Sequence, residues 1–600
     1  MGKHVGVEYL DNEKCRFTVW APEAKTVAVV LKKYEDPFRL EQQGAYWEAT
    51  IEGVIPGDLY QYIVDGEGPL PDPASLSQPM GVHSWSQVLD QKAFSWTDQS
   101  WKGRETRDMI LYELHTGTFT QEGTFQGITA KLDHLEELGI NTIEIMPVAQ
   151  FPGSRNWGYD GVYPYAVQDS YGGVAGLKQL VNTCHQRGFA VILDVVYNHL
   201  GPEGNYLPAY GPCFTDKYHT PWGSAINFDD AYSDGVREFF LQNALMWLRD
   251  FHIDGLRLDA VHEIIDRGAV HFLEELSRRV NELEEECGRR LVIIAESDLN
   301  DARLVRDLPN GFGLEAQWVD DFHHCVHTVL TGEKAGYYMD YGTIELLEKS
   351  FRQAFVYDGS YSVFRKKRIG NSPQGLPPDR FVVSVQNHDQ VGNRLLGERL
   401  STLVSFEKQK LAAGLLLLAP YVPMLFMGEE FGAGEPFRYF ISHGDEDLVR
   451  AVREGRRKEF EYFNHSAAEF PDPQAETSFQ ESKLDWNFKN KKPQSILFSF
   501  YKELIQLRKK GTFRPLSEGV ETQSDTRSEI LRVRASSGAL SAWFNFGKQE
   551  QLLVEDLQAG WELVFFSAQR KWGGSMEGDP LFERNSLRLP PESFVIITHG

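Results

Sequence analysis

Carboxylate side chains follow several of the most apolar segments of this sequence. Asp194, Asp259, Glu296 and Asp389 each stand at or just beyond the end of a run rich in Val, Ile and Leu. Such solid runs are typical of parallel strands that are buried on both faces. A single acidic residue after a strand is usually a helix cap, but in a barrel all the strand ends meet at one mouth. We therefore expect these four carboxylates to lie together.

One of the four carboxylates, Asp259, has a cationic neighbour, Arg257. Arg257 and Asp259 are two residues apart on a predicted strand, so their side chains point to the same face. An adjacent guanidinium keeps a carboxylate ionised and therefore nucleophilic. On the next predicted strand, crowding by anions raises the pKa of Glu296, which then holds a proton near neutral pH. One ionised and one protonated carboxyl group are what a glycosidase needs.

Other chemistries lack their sequence motifs. The chain has no H-E-x-x-H, no G-x-S-x-G, no G-x-x-x-x-G-K-[ST] and no G-x-G-x-x-G behind a strand. His199 and His388 both follow strand ends, so a metal pair is an alternative, but a role as donors to sugar hydroxyls explains them equally well. The five cysteines are scattered and form no C-x-x-C pair, which favours free thiols. We predict neither a metal ion nor a cofactor.

The elements that would position these residues alternate between strand and helix. Eight β-rich segments are predicted at 109–114, 142–147, 190–196, 254–259, 291–296, 314–318, 381–387 and 421–427. Between and after them, apolar residues recur with the helical period, and we predict helices at 128–138, 174–187, 236–248, 269–286, 343–356, 405–418 and 495–510. The α/β pattern predicts a (β/α)8 TIM barrel as the catalytic domain.

Short strands and Gly/Pro-rich turns occupy both ends of the chain. We predict an N-terminal immunoglobulin-like β-sandwich over 1–99, the barrel over 100–514 and a C-terminal β-sandwich over 515–600. An inserted loop subdomain is expected after the third barrel strand, at about 199–232.

Charge excludes two classes of partner. The chain carries 61 Lys and Arg against 86 Asp and Glu, a net charge of −25, which repels a phosphate backbone or an anionic membrane surface. We predict no nucleic acid and no membrane as partner. The N-terminal residues contain no apolar region of the kind found in signal peptides, so we expect a cytoplasmic protein.

The segments around the four carboxylates resemble, in order, the four signature regions of the α-amylase superfamily, glycoside hydrolase family 13. The resemblance implies that Asp259 is the nucleophile that forms a covalent glycosyl-enzyme. It implies that Glu296 is the general acid and then the base, and that Asp389 stabilises the transition state by holding hydroxyls of the distorted sugar. In a retaining enzyme of this kind the two catalytic carboxyl groups lie about 5–5.5 Å apart.

The resemblance also implies a set of substrate-binding residues. Tyr159 matches the ring on which the sugar at the cleavage point stacks. The remaining candidates follow from the signature regions or from their place at the predicted mouth, and they are Arg257, Asp194, His199, His388, Trp222, His262, Asp320, Asp321 and His323. Trp318, Phe431 and Tyr439 are further candidates for stacking against sugar rings.

The N-terminal segment 17–22 resembles the carbohydrate-binding-module-like sandwich that precedes the barrel in part of the family. Further strings at 112–120, 218–223, 295–301, 317–324 and 427–432 resemble one group of its members. Those enzymes hydrolyse the α-1,4 bond next to the terminal α,α-trehalose of maltooligosyltrehalose and release trehalose. The expected substrates are maltooligosyltrehalose and related α-1,4-glucans, with a pathway link to maltooligosyltrehalose synthase.

Three alternatives share the same barrel. A glucan branching enzyme would use the same carboxylates and pass the sugar to another sugar hydroxyl. Another α-glucan-active member, such as a debranching hydrolase, would need a different linkage. A non-catalytic carbohydrate-binding relative would be expected to lack one of the carboxylates, whereas Asp259, Glu296 and Asp389 are all present.

Overall fold

A computed structural model describes residues 4–462, 470–554, 561–577, 582–583 and 586–599. Its first nine strands are β1 (Gly6–Asp11), β2 (Lys14–Trp20), β3 (Val27–Leu31), β4 (Phe38–Arg39), β5 (Glu41–Gln43), β6 (Tyr46–Glu52), β7 (Leu59–Val64), β8 (Glu67–Leu70) and β9 (Ser86–Gln87). They form two antiparallel sheets, ordered β1-β2-β6-β5 and β4-β3-β7-β8, with β9 paired to β7. Phe17 and Val29 from the two sheets share one buried core, which confirms the predicted N-terminal sandwich.

The middle of the chain contains fourteen strands: β10 (Leu111–Leu114), β11 (Thr142–Ile145), β12 (Ala149–Gln150), β13 (Tyr163–Val167), β14 (Ala190–Val195), β15 (Phe214–Thr220), β16 (Gly223–Ile226), β17 (Gly255–Leu258), β18 (Val292–Ala295), β19 (Ala316–Trp318), β20 (Tyr361–Ser362), β21 (Lys367–Arg368), β22 (Phe381–Ser384) and β23 (Val422–Phe426). Eight of them close into a parallel barrel in the order β10-β11-β14-β17-β18-β19-β22-β23. The predicted TIM barrel and its eight strands are confirmed. The pair β15–β16 is a hairpin within the predicted insertion.

The helices are α1 (Thr116–Phe119), α2 (Phe125–Thr129), α3 (Leu132–Leu138), α4 (Gly173–Gln186), α5 (Ser233–Asp250), α6 (Phe272–Cys287), α7 (Asp320–Thr331), α8 (Ile344–Gln353), α9 (His388–Gly392), α10 (Leu400–Leu403), α11 (Phe406–Leu418), α12 (Glu446–Tyr462), α13 (Glu476–Gln480), α14 (Lys492–Lys509) and α15 (Arg514–Glu518). Every helix predicted from the apolar period is present. The one predicted over 128–138 is split into α2 and α3, because the backbone leaves the helical conformation at Lys131.

The described residues that follow the barrel form eight strands: β24 (Val520–Asp525), β25 (Ile530–Ala535), β26 (Leu540–Asn545), β27 (Gln551–Val554), β28 (Trp561–Phe566), β29 (Phe582–Glu583), β30 (Ser586–Leu589) and β31 (Ser593–His599). They form a five-stranded sheet, β24-β25-β26-β31-β28, and a three-stranded sheet, β27-β30-β29. Trp543 and Val595 of the first sheet pack with Leu587 of the second. The predicted C-terminal β-sandwich is thus confirmed.

Apolar side chains fill the lower half of the barrel, at the end where its strands begin. We call this cluster the apolar floor, and its members are Met109, Leu111, Ile192, Val292, Ile294, Val382, Val422 and Met424. Gly255 lets the strands approach closely here, since a Cβ atom at this position would lie 2.4 Å from the Val292 carbonyl oxygen. The floor keeps water away from the lower side of the residues above it.

A short segment of the chain crosses beneath the barrel. The indole Nε1 of Trp101 donates to Asp254 Oδ1 at 2.7 Å. Between Asp98 and Asp254 lies the buried imidazole of His185, 2.7 Å from the first carboxylate and 2.8 Å from the second. We call these four residues the lower clasp. It joins the segment that precedes the barrel to α4 and to the start of β17.

Over the part of the chain that the structure describes, every helix is too short or too polar to cross a membrane.

Candidate active site

Arg257 lies at the centre of the predicted site. This fully buried side chain rises from β17, and its Nη1 donates to Asp194 Oδ2 at 2.8 Å and to Asp259 Oδ1 at 3.0 Å. Its Nη2 lies 3.1 Å from Glu296 Oε2. The guanidinium also stacks on Trp318, 4.2 Å from the ring centre. One cation therefore holds three of the predicted carboxylates in fixed positions.

The carboxylate of Asp259 accepts a hydrogen bond on each oxygen. Arg257 binds Oδ1, and the amide of Asn198 donates to Oδ2 at 2.7 Å. The backbone N–H of Asp259 donates to the Val195 carbonyl at 3.0 Å, so β14 fixes the main chain at this point. An acceptor-only pattern on both oxygens is that of an ionised carboxylate.

The surroundings of Glu296 favour the opposite protonation state. Burial, together with the charges of Asp259 and Asp389, raises the pKa of Glu296 well above its usual range against the opposing charge of Arg257. The backbone N–H of Ala260 donates to Glu296 Oε2 at 2.6 Å, and Arg257 approaches the same oxygen. The backbone donor thus occupies Oε2 and the guanidinium lies beside the same oxygen, which leaves Oε1 free to carry a proton. The assignment of one ionised and one protonated carboxyl group stays a prediction, which the raised pKa of Glu296 supports.

The strand end between these two residues turns sharply. Ala260 has a φ of +38°, in the left-handed region that a residue with a Cβ atom rarely adopts. This turn directs the N–H of Ala260 towards Glu296 directly after Asp259 has pointed into the mouth. Such local strain is held by surrounding structure and is common at functional sites.

His388 and Asp389 begin α9, after β22. The side chain of Asp389 is 36 % exposed, and its Oδ1 lies 3.5 Å from His388 Nε2. Glu113 on β10 accepts the backbone N–H of His388 at 2.9 Å and also binds its Nδ1. Burial alone would lower the pKa of His388, but the negative charges of Asp389 and Glu113 raise this pKa to about 9. The imidazolium therefore lies beneath an open carboxylate.

Tyr159 links His388 to Asp194. Its hydroxyl donates to Asp194 Oδ2 at 2.6 Å and lies 2.8 Å from His388 Nε2, which donates when the ring is protonated. Burial raises the pKa of Asp194 to about 7 against the charge of Arg257. Gly158 has a φ of +110°, and a Cβ atom at this position would lie 2.1 Å from the Pro147 carbonyl oxygen. Only glycine therefore lets the chain before Tyr159 pass so close to Pro147. The Tyr159 ring stacks on the His388 ring at 5.2 Å.

The inserted hairpin contributes one aromatic ring to the mouth. Trp222, near the tip of β15–β16, is 51 % exposed and stacks on His199 with the ring centres 4.3 Å apart. His199 Nε2 lies 3.1 Å from the Tyr159 carbonyl oxygen. An exposed indole beside Tyr159 and His199 offers a flat apolar surface of the kind on which a sugar face packs.

Two predicted residues lie on the side of Glu296. His262 Nε2 is 3.8 Å from Asp298 Oδ1, and Asp298 in turn accepts from Arg365 Nη2 at 2.7 Å. Asp320 is the first residue of α7, where burial and the nearby charges of Asp298 and Asp389 raise its pKa to about 7. Both side chains therefore belong to the acidic mouth.

Asp321 and His323, which the sequence placed at the predicted mouth, lie elsewhere in the structure. Both belong to α7, which starts two residues after β19. Asp321 accepts from Asn300 Nδ2 at 2.7 Å and from the backbone N–H of Val356 at 2.6 Å. His323 lies 2.8 Å from the Val385 carbonyl and 2.9 Å from the Tyr338 hydroxyl. The polar atoms of both side chains are thus used in hydrogen bonds that stabilise the surrounding segments.

The stacking candidates also divide. Phe431 is fully buried and stacks on Phe488 at 4.4 Å, so it is a core residue. Trp318 is buried beneath Arg257. Tyr439 packs edge-on against Trp157 at 5.1 Å.

Sequence reasoning missed three residues of the site: Glu113, Glu144 and Asn198. Glu113 and Glu144 lie inside strands that read as apolar, and an acidic residue within such a run was the available signal. Asn198 stands between Asp194 and His199 in a segment already singled out. In the described ranges, no cluster of three or more His, Cys, Asp or Glu has metal-binding geometry.

Comparison with known proteins shows which family the chain belongs to. The α-amylase catalytic-domain family matches residues 91–210 and 230–515. The chain belongs to the α-amylase family. Carbohydrate-binding module 48, the isoamylase N-terminal domain, matches residues 1–84. The unmatched stretch between 210 and 230 contains the β15–β16 hairpin.

Curated family members resemble most of the chain. The malto-oligosyltrehalose trehalohydrolase of Saccharolobus solfataricus is 49 % identical over 83 % of this chain and 86 % of its own length. The enzyme of that name from Arthrobacter ramosus is 46 % identical over 82 % and 87 %. A solved structure from Salmonella typhimurium, which carries a provisional alpha-amylase name, is 36 % identical, with a TM-score of 0.89 over the full length of both chains. This α-amylase family chain is thus a glycosidase that acts on α-glucans.

Proposed function

We propose that this glycosidase hydrolyses the α-1,4 bond next to the terminal trehalose of maltooligosyltrehalose, with retention of configuration. The observation that carries the chemistry is the contact of Arg257 with both Asp259 and Glu296, together with the raised pKa of Glu296. This pair can supply both a nucleophile and an acid to one glycosidic bond. The relatives named as trehalohydrolases support the choice of substrate.

In the first step, Asp259 attacks C1 of the sugar at the cleavage point. The bond from C1 to the glycosidic oxygen breaks as the bond from C1 to the carboxylate forms. Glu296 gives its Oε1 proton to the departing oxygen, which leaves as a hydroxyl of trehalose. Asn198 and Arg257 hold Asp259 in place during the attack.

In the second step, Glu296 acts as a base because it has lost its proton. It takes a proton from a water molecule whose oxygen attacks C1 and displaces Asp259. The shortened glucan is released with the configuration it began with, and Glu296 is protonated again. Asp389, open to the mouth and beside the His388 imidazolium, can hold two sugar hydroxyls while the ring distorts.

The substrate contacts divide around the cleavage point. We propose that Tyr159, Asp194, Arg257, His199 and His388 bind the sugar that becomes attached to Asp259. His262 and Asp320, on the side of Glu296, are proposed to contact the trehalose part, and Trp222 to stack on a ring at the mouth. A pathway link to a synthase that forms the trehalose end, and a cytoplasmic location, remain predictions.

The test compares two substrates of equal length. Purified protein is incubated with maltooligosyltrehalose and, separately, with the plain maltooligosaccharide, while free trehalose and reducing ends are measured by chromatography. We expect one new reducing end per trehalose from the first substrate and little action on the second. Glu296→Gln is the control for contaminating glycosidases.

The same measurement separates the alternatives. A branching enzyme would leave the number of reducing ends constant and change the iodine colour of amylose. Equal cleavage of both substrates would contradict the trehalose specificity and indicate an amylase.

A further inference from the structure

Two acidic residues lie inside the barrel directly beneath the cleavage site. Glu113 of β10 and Glu144 of β11 are paired in register on adjacent strands, and each is only 1 % exposed. Leu111, two residues before Glu113, belongs to the apolar floor, so Glu113 points to the inside of the barrel. Because it pairs with Glu113, Glu144 shares this inward face. The mechanism above uses neither residue.

The two carboxyl groups differ in their partners. Glu113 is bound by the backbone N–H and by Nδ1 of His388. Among the residues that the structure describes, neither carboxyl oxygen of Glu144 has a hydrogen-bond partner. Asp194 Oδ1 and Arg257 Nε, on the two strands that follow β11 around the barrel, are likewise buried and without a protein partner. A buried polar group left in that state costs about 1–3 kcal/mol.

The charges around Glu144 indicate which form it takes. Burial, with the negative charges of Glu113 and Asp194, raises the pKa of Glu144 well above its usual range, against the opposing charges of Arg257 and His388. An ionised Glu144 would add a further anion to a layer that already contains Glu113, Asp194 and Asp259. A neutral acid, by contrast, can both donate and accept a hydrogen bond.

We propose that Glu144 is a positioning residue which, as an uncharged carboxylic acid, connects Asp194 Oδ1 and Arg257 Nε through one bridging water molecule. Among the described residues, these buried groups form no hydrogen bond, and neither does Arg257 Nη2. A polar internal site with several such groups is where proteins hold ordered water. The connection fixes the guanidinium from below while Asp259 and Glu296 bind it from above. The proposal rests on the proposed catalytic roles of Asp259 and Glu296.

The kinetic test compares two substitutions at position 144. Glu144→Gln keeps the shape and the ability to donate, and should leave kcat within about threefold and the pH profile unchanged. Glu144→Leu removes both functions, and should lower kcat by about 10- to 100-fold with little change in KM, since small displacements of catalytic groups are costly. Should the Leu variant fail to fold, as judged by its Tm, Glu144→Met takes its place.

Gln317→Leu is the matched control. Gln317 is also fully buried, and its two amide atoms have no hydrogen-bond partner among the described residues. It faces outwards from β19, because its neighbours Ala316 and Trp318 belong to the cluster inside the barrel. Replacing it removes an equally buried polar group, so its kcat should stay within about twofold of the native value. An equal loss in both variants would show a general packing effect and overturn the proposal.

A second readout does not depend on activity. The infrared difference spectrum between the native protein and Glu144→Gln at neutral pH should contain the carbonyl band of one protonated carboxylic acid. If the band is absent, or if Glu144→Gln moves the basic limb of the pH profile to lower pH, then Glu144 is ionised and the proposal is wrong. Because the band does not require turnover, it distinguishes this outcome from failure of the proposed reaction.

Discussion

The lower and upper halves of the barrel interior are built from the same strands with opposite chemistry. Ile192 of the apolar floor is followed two residues later by Asp194, and Ile294 by Glu296. The strand period places each pair on the same inward face. The floor contains only apolar side chains, whereas the layer above it is charged; we call the latter the charged layer, and it comprises Glu113, Glu144, Asp194, Arg257, Asp259 and Glu296.

The contrast shows why the charged layer can do chemistry. Burial is the largest influence on the pKa of Glu296 and of Asp194, and the floor supplies that burial from below. Without it, water would solvate the carboxylates and lower their pKa values towards those of free side chains. The apolar floor thus helps to keep the pKa values of Glu296 and Asp194 in the charged layer raised.

The largest expected effect comes from removing the proposed nucleophile from the charged layer. Asp259→Asn keeps the shape and the hydrogen bonds to Arg257 but cannot form the bond to C1. We expect turnover of maltooligosyltrehalose to fall by at least about four decades, as it does when hydrolases lose a catalytic side chain. Retention of more than a hundredth of native turnover would exclude Asp259 as the nucleophile.

Removing the proposed acid should cost less. Glu296→Gln is expected to lower kcat by about two to four decades while leaving KM nearly unchanged. The loss should shrink on an aryl glucoside, whose leaving group needs no proton. Glu315→Gln is the matched control: Glu315 is also a buried carboxyl whose pKa burial raises to about 7, but it binds the Ile293 N–H at the floor end of the barrel. Native turnover is expected for this control.

The charged layer should also make stability depend on pH through His388. Its pKa is about 9 in the folded protein and about 6.5 when unfolded, so the protonated form favours folding. This contribution, about 3 kcal/mol, is fully present below pH 6.5 and is lost as the pH rises through 9. We expect the Tm to fall over that window, and to fall less in Glu113→Gln, in which His388 loses its buried anion. An equal slope in both proteins would argue against a charged His388.

The smallest effect should come from the floor itself. Ile294→Thr introduces a hydroxyl beneath Glu296 and should lower the pKa of Glu296, moving the basic limb of the kcat/KM profile down by about 0.5 pH unit. Ile293→Thr changes the neighbouring residue, equally buried but on the outer face of β18. Both variants should lose about 1–3 kcal/mol of stability. Only Ile294→Thr should move the basic limb of the kcat/KM profile. A shift of the basic limb in both variants would mean that the apolar floor does not control the pKa of Glu296.

The barrel and the main carboxylates were predictable because their signals are local. Parallel strands read as solid apolar runs, and Asp194, Asp259, Glu296 and Asp389 follow them directly. Asp321 and His323 were misplaced because whether a polar residue faces the mouth depends on where a helix begins, which the residue types around β19 do not reveal. Glu113 and Glu144 were missed because the groups that surround them come from distant parts of the chain: His388 binds Glu113, and the charges of Asp194 and Arg257 act on Glu144.

The lower clasp bears on how the catalytic unit could be separated from the rest of the chain. Asp98 lies on one side of the predicted boundary at residue 100 and Trp101 on the other, yet both bind the His185 and Asp254 pair. A truncation at that boundary would leave His185 with a single carboxylate under the barrel. The segment before β10 is therefore a structural part of the catalytic domain and not only a linker. A catalytic fragment that folds on its own would have to start upstream of Asp98.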